Sequence, residues 1–220
     1  MTERASVMDE RAVWAATDRA RLQLADLLES LAAPDWDRAS LCAEWRIRDV
    51  VAHLALAHTG PAQALLDMVR AGGSFDRMIR DSARRHAQAP TERLVAEIRS
   101  MAGSRRKAPG VSHLEPLLDV LVHTQDIALP LGLVCTMAVD AAAAAATRVW
   151  TMGWPLSAAF HARRRLGHLR LVATDTDWRA GDGALVTGPI QPLLLLLTGR
   201  DAGRDQLSGV GMAQLGRVSP

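Results

Sequence analysis

The sequence predicts a mainly α protein: an antiparallel helical bundle over roughly residues 1–155, then a small C-terminal α+β portion over 156–220 made of a β-meander and a closing helix. Three observations lead there. Apolar residues recur at helical spacing along most of the first 155 positions. Apolar residues make up 49% of the chain but aromatics only 4%, and tyrosine is absent; a core of Leu, Val and Ala suits helices. After Gly153-Trp154-Pro155 the pattern changes to short β-branched alternation broken by Asp and Gly.

The elements follow in order. Residues 8–32 read as one amphipathic helix with Trp14, Leu24, Leu27, Leu28 and Leu31 on its apolar side, ended by Pro34-Asp35-Trp36. A second helix runs from Ile47 to His58; Gly60-Pro61 interrupts it before it resumes toward Arg70. Gly72-Gly73 opens a connection, with a weak helix over Phe75–His86 and another from an N-cap at Thr91 to near Gly103. Residues 72–110 are therefore expected to be the mobile part of the bundle, able to gate a pocket. Ser112-His113-Leu114-Glu115 has capping-box spacing and opens a helix closed by Pro130 and Gly132. Residues 138–152, with six consecutive alanines, form a further helix whose bare surface permits close packing. In the C-terminal portion, His168–Thr174, Trp178-Arg179 and Ala184–Thr187 read as strands separated by turns at 175–177 and 181–183, and Ile190–Thr198 as a helix stopped by Gly199.

Composition narrows the function classes. A net charge of +2 over 220 residues offers no electrostatic case for nucleic-acid binding. The first ten residues are polar, and no run approaches the ~18 apolar residues of a membrane span. Cys42 and Cys135 are isolated, without CxxC spacing, so neither a disulfide framework nor a zinc ribbon is expected. The expected location is the cytoplasm, with reduced thiols.

Within the bundle, three side chains stand out. His53 lies in the apolar run Ile47–Leu56, and Asp119 and His123 stand one turn apart among aliphatic residues on a later helix. Polar groups in such surroundings are costly unless something satisfies them. Two imidazoles and a carboxylate brought together by a bundle give three ligands with positions left open, the make-up of a reactive metal site. The plain alternatives are a hydrogen-bonded core histidine at 53 and a helix-stabilising i,i+4 pair at 119 and 123. Asp126 competes with Asp119, either as ligand or as acceptor for the other nitrogen of His123; Asp49 stands in a similar relation to His53 or caps its helix. His58 is expected at the surface, and the arginine runs at 84–85, 105–107 and 163–165 read as solvated faces. Trp45 and Trp150 are candidate cleft walls, with core packing the simpler reading. Cys42 is not read as a nucleophile.

The segment Asp35-Trp36 followed by Leu41-Cys42-Ala-Glu-Trp45-Arg-Ile-Arg-Asp49-Val-Val-Ala-His53-Leu resembles the opening signature of the mycothiol-dependent maleylpyruvate isomerase family. Leu118-Asp119-Val-Leu-Val-His123-Thr-Gln-Asp126 through Gly132 resembles its second signature, and the stretch from Leu169 to Arg200 is similar to the C-terminal part of many members. The resemblance implies a DinB-like antiparallel four-helix bundle with His53, Asp119 and His123 as metal ligands. One departure is that Asp119 is shorter than the Glu of the isomerase itself, which keeps Asp126 in play. The implied cofactors are a divalent metal, zinc before nickel or iron, and mycothiol as thiol cosubstrate. The implied activity is a thiol S-transferase or a cis–trans isomerase acting on a small electrophilic substrate that the sequence does not identify. No nucleic-acid or membrane partner is expected, and a homodimer is left open. Two rival readings stand beside it: a metal-binding bundle that senses or docks without turnover, and a metal-free bundle in which Asp119 and His123 merely pair.

Overall fold

The computed structural model describes residues 8–216 except 59, 108, 109 and 155. The reading of the first seven residues lies outside the described residues, as do Pro155 and part of the loop before Gly110. The described residues hold nine α-helices and one three-stranded sheet, in the mainly α class with a small α+β portion that the sequence predicts.

The chain forms two compact units, one of them Trp14–Cys135 and the other Thr136–Pro220 with the described residues before Trp14. The first contains α1 (Glu10–Glu29) from Trp14 onward, a 3-10 turn at Ala33–Asp37, α2 (Ile47–Leu56), α3 (Pro61–Arg70), α4 (Phe75–His86), α5 (Thr91–Ser100) and α6 (Leu114–Ala128). Helix α2 is central: it packs against α4, α5 and α6 and is buried at Ile47, Val50, Val51, Ala52, Leu54 and Ala55. Around it lie Leu24 and Leu28 of α1, Trp36, Leu94 and Ile98 of α5, and Val120 and Ile127 of α6. Burying each of these large side chains is worth about 1.5–3 kcal/mol, so positions on α2 and α6 are held firmly.

The region read as a mobile connection, 72–110, contains two formed helices, and α5 places Leu94, Val95 and Ile98 in the core. Thr91 is the first residue of α5 and Pro90 precedes it as cap, without a side-chain hydrogen bond. Helix α6 starts at Leu114; Ser112 accepts a hydrogen bond from the Leu114 N–H at 3.1 Å and donates to Glu115. Gly132 closes the helix end in the left-handed conformation at φ +69°, where a side chain would be strained.

The second unit contains α7 (Val139–Thr151), the short α8 (Ala162–Leu166), β1 (Leu169–Ala173), β2 (Arg179–Ala180), β3 (Ala184–Gly188) and α9 (Ile190–Leu197). The two units divide between Cys135 and Thr136, and within the second α7 packs on α9. Leu193–Leu197 are all buried, as expected of a helix apolar on every side.

The meander is corrected by the sheet. Its order is β2-β1-β3, with β1 antiparallel to β2 but parallel to β3. The reason lies in the Gly181-Asp182-Gly183 crossing. The chain passes under the start of β1 so closely that a Cβ at either glycine would collide with the carbonyl oxygens of Leu169 and His168. Only glycine permits that approach, and it delivers β3 to the far side of β1.

Candidate metal centre

Helices α2 and α6 lie side by side in the first unit, and their facing positions carry the chemistry. On α6, buried Leu117, Leu118, Val120, Leu121 and Val122 fix the rotation of the helix. That rotation leaves Asp119 and His123 together on the side facing His53 of α2.

The two imidazoles flank the carboxylate. His123 Nε2 lies 3.5 Å from Asp119 Oδ1, and His53 Nε2 lies 3.9 Å from Asp119 Oδ2. The rings stand edge to face with centroids 5.2 Å apart, and one donor atom from each of the three residues falls within 4.8 Å of the others. These gaps are longer than good hydrogen bonds. Tetrahedral ligands at 2.0–2.1 Å from an ion stand about 3.3 Å apart, so small side-chain adjustments would close this set around one. The donor set therefore fits a borderline divalent metal. The side chains are partly covered, His123 being 14%, His53 23% and Asp119 39% exposed, so one side opens to solvent.

The other edge of His123 is braced. Its Nδ1 lies 2.8 Å from Oδ2 of Asp126, whose side chain is fully buried. The Cys42 thiol donates to the same oxygen at 3.1 Å and lies 3.7 Å from Nδ1. A carboxylate acceptor at Nδ1 holds a proton there and turns Nε2 toward Asp119 and His53. Burial opposes charge on His123, but the Asp119 carboxylate beside it and the hydrogen bond to Asp126 outweigh it and hold the imidazole pKa well above its ordinary value. Burial likewise opposes charge on Asp119, while the facing imidazoles of His123 and His53 keep its carboxyl far below the usual range. Since Asp119 remains more than a third exposed, solvent screens part of that attraction.

A single loop supports both histidines. Leu41 N–H donates to the Asp126 carbonyl at 3.1 Å, and Ser40 Oγ accepts from the Cys42 N–H and donates to the Trp45 carbonyl. Glu44 takes a left-handed φ of +62° within this turn. Trp45 packs on the core and sets its ring 5.2 Å from that of His53, tilted by 56°. Trp150 belongs to the other unit and stacks beneath Arg163.

His53, Asp119 and His123 are thus brought together, and Asp126 occupies the bracing position. Asp49 caps α2 by accepting from the Arg46 N–H at 2.9 Å. His58 is not the surface residue expected: its Nε2 is enclosed with no hydrogen-bond partner among the described residues, and burial, then Arg21 and Arg106, push its pKa down. Cys42 is the site residue that helical spacing missed, because its partners come from α6, more than eighty residues away in sequence. Its place in the same short segment as Trp45 and His53 was the available signal.

Residues 17–128, just over half of the chain, match the family described as Mycothiol maleylpyruvate isomerase N-terminal domain. No curated protein sequence matches. Two crystal structures are similar in fold across 96% of this chain and 97% of theirs. They are the mycothiol-dependent maleylpyruvate isomerase, with TM-score 0.65 and 14% identity, and a histidine-to-alanine mutant of the mycothiol-dependent maleylpyruvate isomerase, with TM-score 0.67 and 13% identity. At such low identity the likeness is one of fold. The family match spans α2 and α6, which carry all three facing donors, and the chain belongs to the mycothiol maleylpyruvate isomerase N-terminal domain family.

Proposed function

We propose that the protein is a metal-dependent, mycothiol-using enzyme, a thiol S-transferase or a cis–trans isomerase, acting on a small electrophilic substrate. The observation that carries this reading is the convergence of His53 Nε2, His123 Nε2 and the Asp119 carboxylate at spacings longer than hydrogen bonds, on a side open to solvent. Family membership supports mycothiol as the thiol.

In this reading His53, Asp119 and His123 hold the ion, with zinc the first choice for two imidazoles and a carboxylate. Bound there, the metal supplies Lewis acidity that keeps a thiol deprotonated at neutral pH. Asp126 holds the His123 proton on Nδ1 and so keeps Nε2 available. Trp45 covers the flank of His53 with an apolar surface and limits water on that side. The shorter Asp119 serves in place of Glu because both imidazoles already lie within 4 Å of its oxygens. For an isomerase, the thiol sulfur adds to one carbon of an activated double bond and a proton goes to the other. Rotation about the resulting single bond and loss of the thiol then give the trans product. For a transferase, sulfur displaces a leaving group, or the addition product is released.

Elemental analysis of untagged protein, followed by turnover of mycothiol with a panel of electrophiles, tests the proposal. About one divalent ion per chain is expected, lost in His53→Ala, with thiol consumption that requires the metal. Bound metal without thiol turnover would favour the sensor or docking reading. Substoichiometric metal unaffected by His53→Ala would refute the site.

A further inference from the structure

The hydrogen bonds behind His123 carry a consequence for the strength of the centre. Asp126 Oδ2 is the acceptor for two groups at once: the Nδ1–H of His123 at 2.8 Å and the thiol of Cys42 at 3.1 Å. A carboxylate at the outer nitrogen of a ligating histidine raises the basicity of the inner one. Each further donor to that oxygen draws electron density from it and weakens what it can offer the imidazole. We infer that Cys42 is a positioning residue that tempers metal affinity, by sharing the Asp126 oxygen that polarises His123. This rests on the metal-centre reading above.

Three features argue against Cys42 as incidental filler. Its backbone is anchored on both sides: Leu41 N–H on the Asp126 carbonyl at 3.1 Å, and Cys42 N–H on Ser40 Oγ at 3.1 Å. The thiol is thereby aimed at the carboxylate that faces Nδ1 of His123. Asp126 is fully buried, so water does not level the competition between its two donors. And the same turn sets Trp45 against His53, so the loop at 40–46 reaches both imidazoles of the centre.

The inference fixes the sign of an effect that a packing role would reverse. Removing the thiol donor should strengthen the Asp126–His123 bond and tighten metal binding. A thiol is a weak donor, so the gain is modest, about two- to five-fold in Kd. If Cys42 only fills space, Cys42→Ala should loosen His123 and weaken binding, and Cys42→Val, which restores volume without a donor, should return it toward wild type.

The test is chelator competition for Co²⁺ and Zn²⁺ on the full chain, with the Co²⁺ visible spectrum as a second readout. Measurements cover wild type, Cys42→Ala, Cys42→Val, and each substitution combined with Asp126→Asn. Tighter binding in both single variants, abolished in the Asp126→Asn background, is the expected result. Weaker or unchanged binding in Cys42→Val overturns the inference while leaving the metal centre intact. A gain that persists in the Asp126→Asn background also overturns it. If wild-type protein takes up neither ion, it is the metal-centre reading that fails, and the two failures are separable.

Discussion

Asp119 and Asp126 both stand beside His123, and replacing each by alanine should have different consequences. Asp119 lies at Nε2, 3.5 Å from His123 and 3.9 Å from His53, on the partly open side. Asp126 lies at Nδ1, at 2.8 Å, with its side chain fully buried. Asp119→Ala leaves two imidazoles and should release the ion on dialysis. Asp126→Ala keeps all three proposed ligands but loses the group that orients one of them. Loss of such an outer partner weakens metal binding about 10–100-fold, or about 1.4–2.7 kcal/mol. The same change removes an acceptor from both the imidazole N–H and the Cys42 thiol. Stranding buried donors costs about 1–3 kcal/mol each way it is counted, and in a chain of this size each kcal/mol lowers Tm by about 2–4 °C. Asp126→Ala should therefore melt several degrees lower without metal, yet refill at high ion concentration. Chelator titration and melting curves with and without Zn²⁺ read both effects. Complete metal loss in Asp126→Ala with retention in Asp119→Ala would refute the assignment and move the ligand to the next turn of α6.

Other consequences can be checked separately. Because the three ligands come from two helices, an ion binding only the folded state at a hundred times its Kd should stabilise by about 2.7 kcal/mol, and superimposable melting curves with and without chelator would count against the site. Asp67 joins α3 to α4: Arg85 donates to it at 2.7 Å and Gln63 at 3.0 Å, with Arg70 at 3.4 Å. Burial opposes its charge, but hydrogen bonds from Gln63 and Arg85 hold its carboxyl below the ordinary range. A lowered folded pKa means stability present in full above the unfolded pKa of about 4 and lost as pH falls through the folded value. Asp67→Asn should thus cost about 1 kcal/mol at pH 7, since the arginines are solvent-screened, with the gap to wild type closing below about pH 4. A gap that stays constant down to pH 3 in urea unfolding would contradict this. Gly183→Ala should destabilise the second unit by more than 2 kcal/mol, since its Cβ meets the His168 carbonyl, whereas Gly73→Ala meets open space and should cost only about 1 kcal/mol of φ strain. Equal melting shifts for the two would refute the crossing argument.

Local pattern determined a good deal of this protein. The helical period of Ile47–Leu56 and Leu114–Ala128 was visible in the positions of their aliphatic residues, and four-residue spacing alone put Asp119 and His123 on one face. The end of α6 at Gly132 and the buried leucine helix α9 were equally legible, because a left-handed glycine and an all-apolar run each have a local cause. What joined the pieces was not local. Helical spacing around Cys42 did not show its partners, because Asp126 and His123 approach from another helix. His58 looked exposed by its angle on the helix, yet its ring nitrogen is enclosed, and Arg21 and Arg106, distant in sequence, act on it. Alternating residues marked three strands but not their order, since pleat period is the same for parallel and antiparallel pairs and the glycine crossing alone places β3 beside β1. The alanine helix packs on α9 and so belongs to the C-terminal unit for a related reason: its faces are too alike for periodicity to choose a partner. Sequence periodicity sets which side of each element is apolar; only the packed chain decides which sides meet, and in the bundle those meetings place one imidazole against the other.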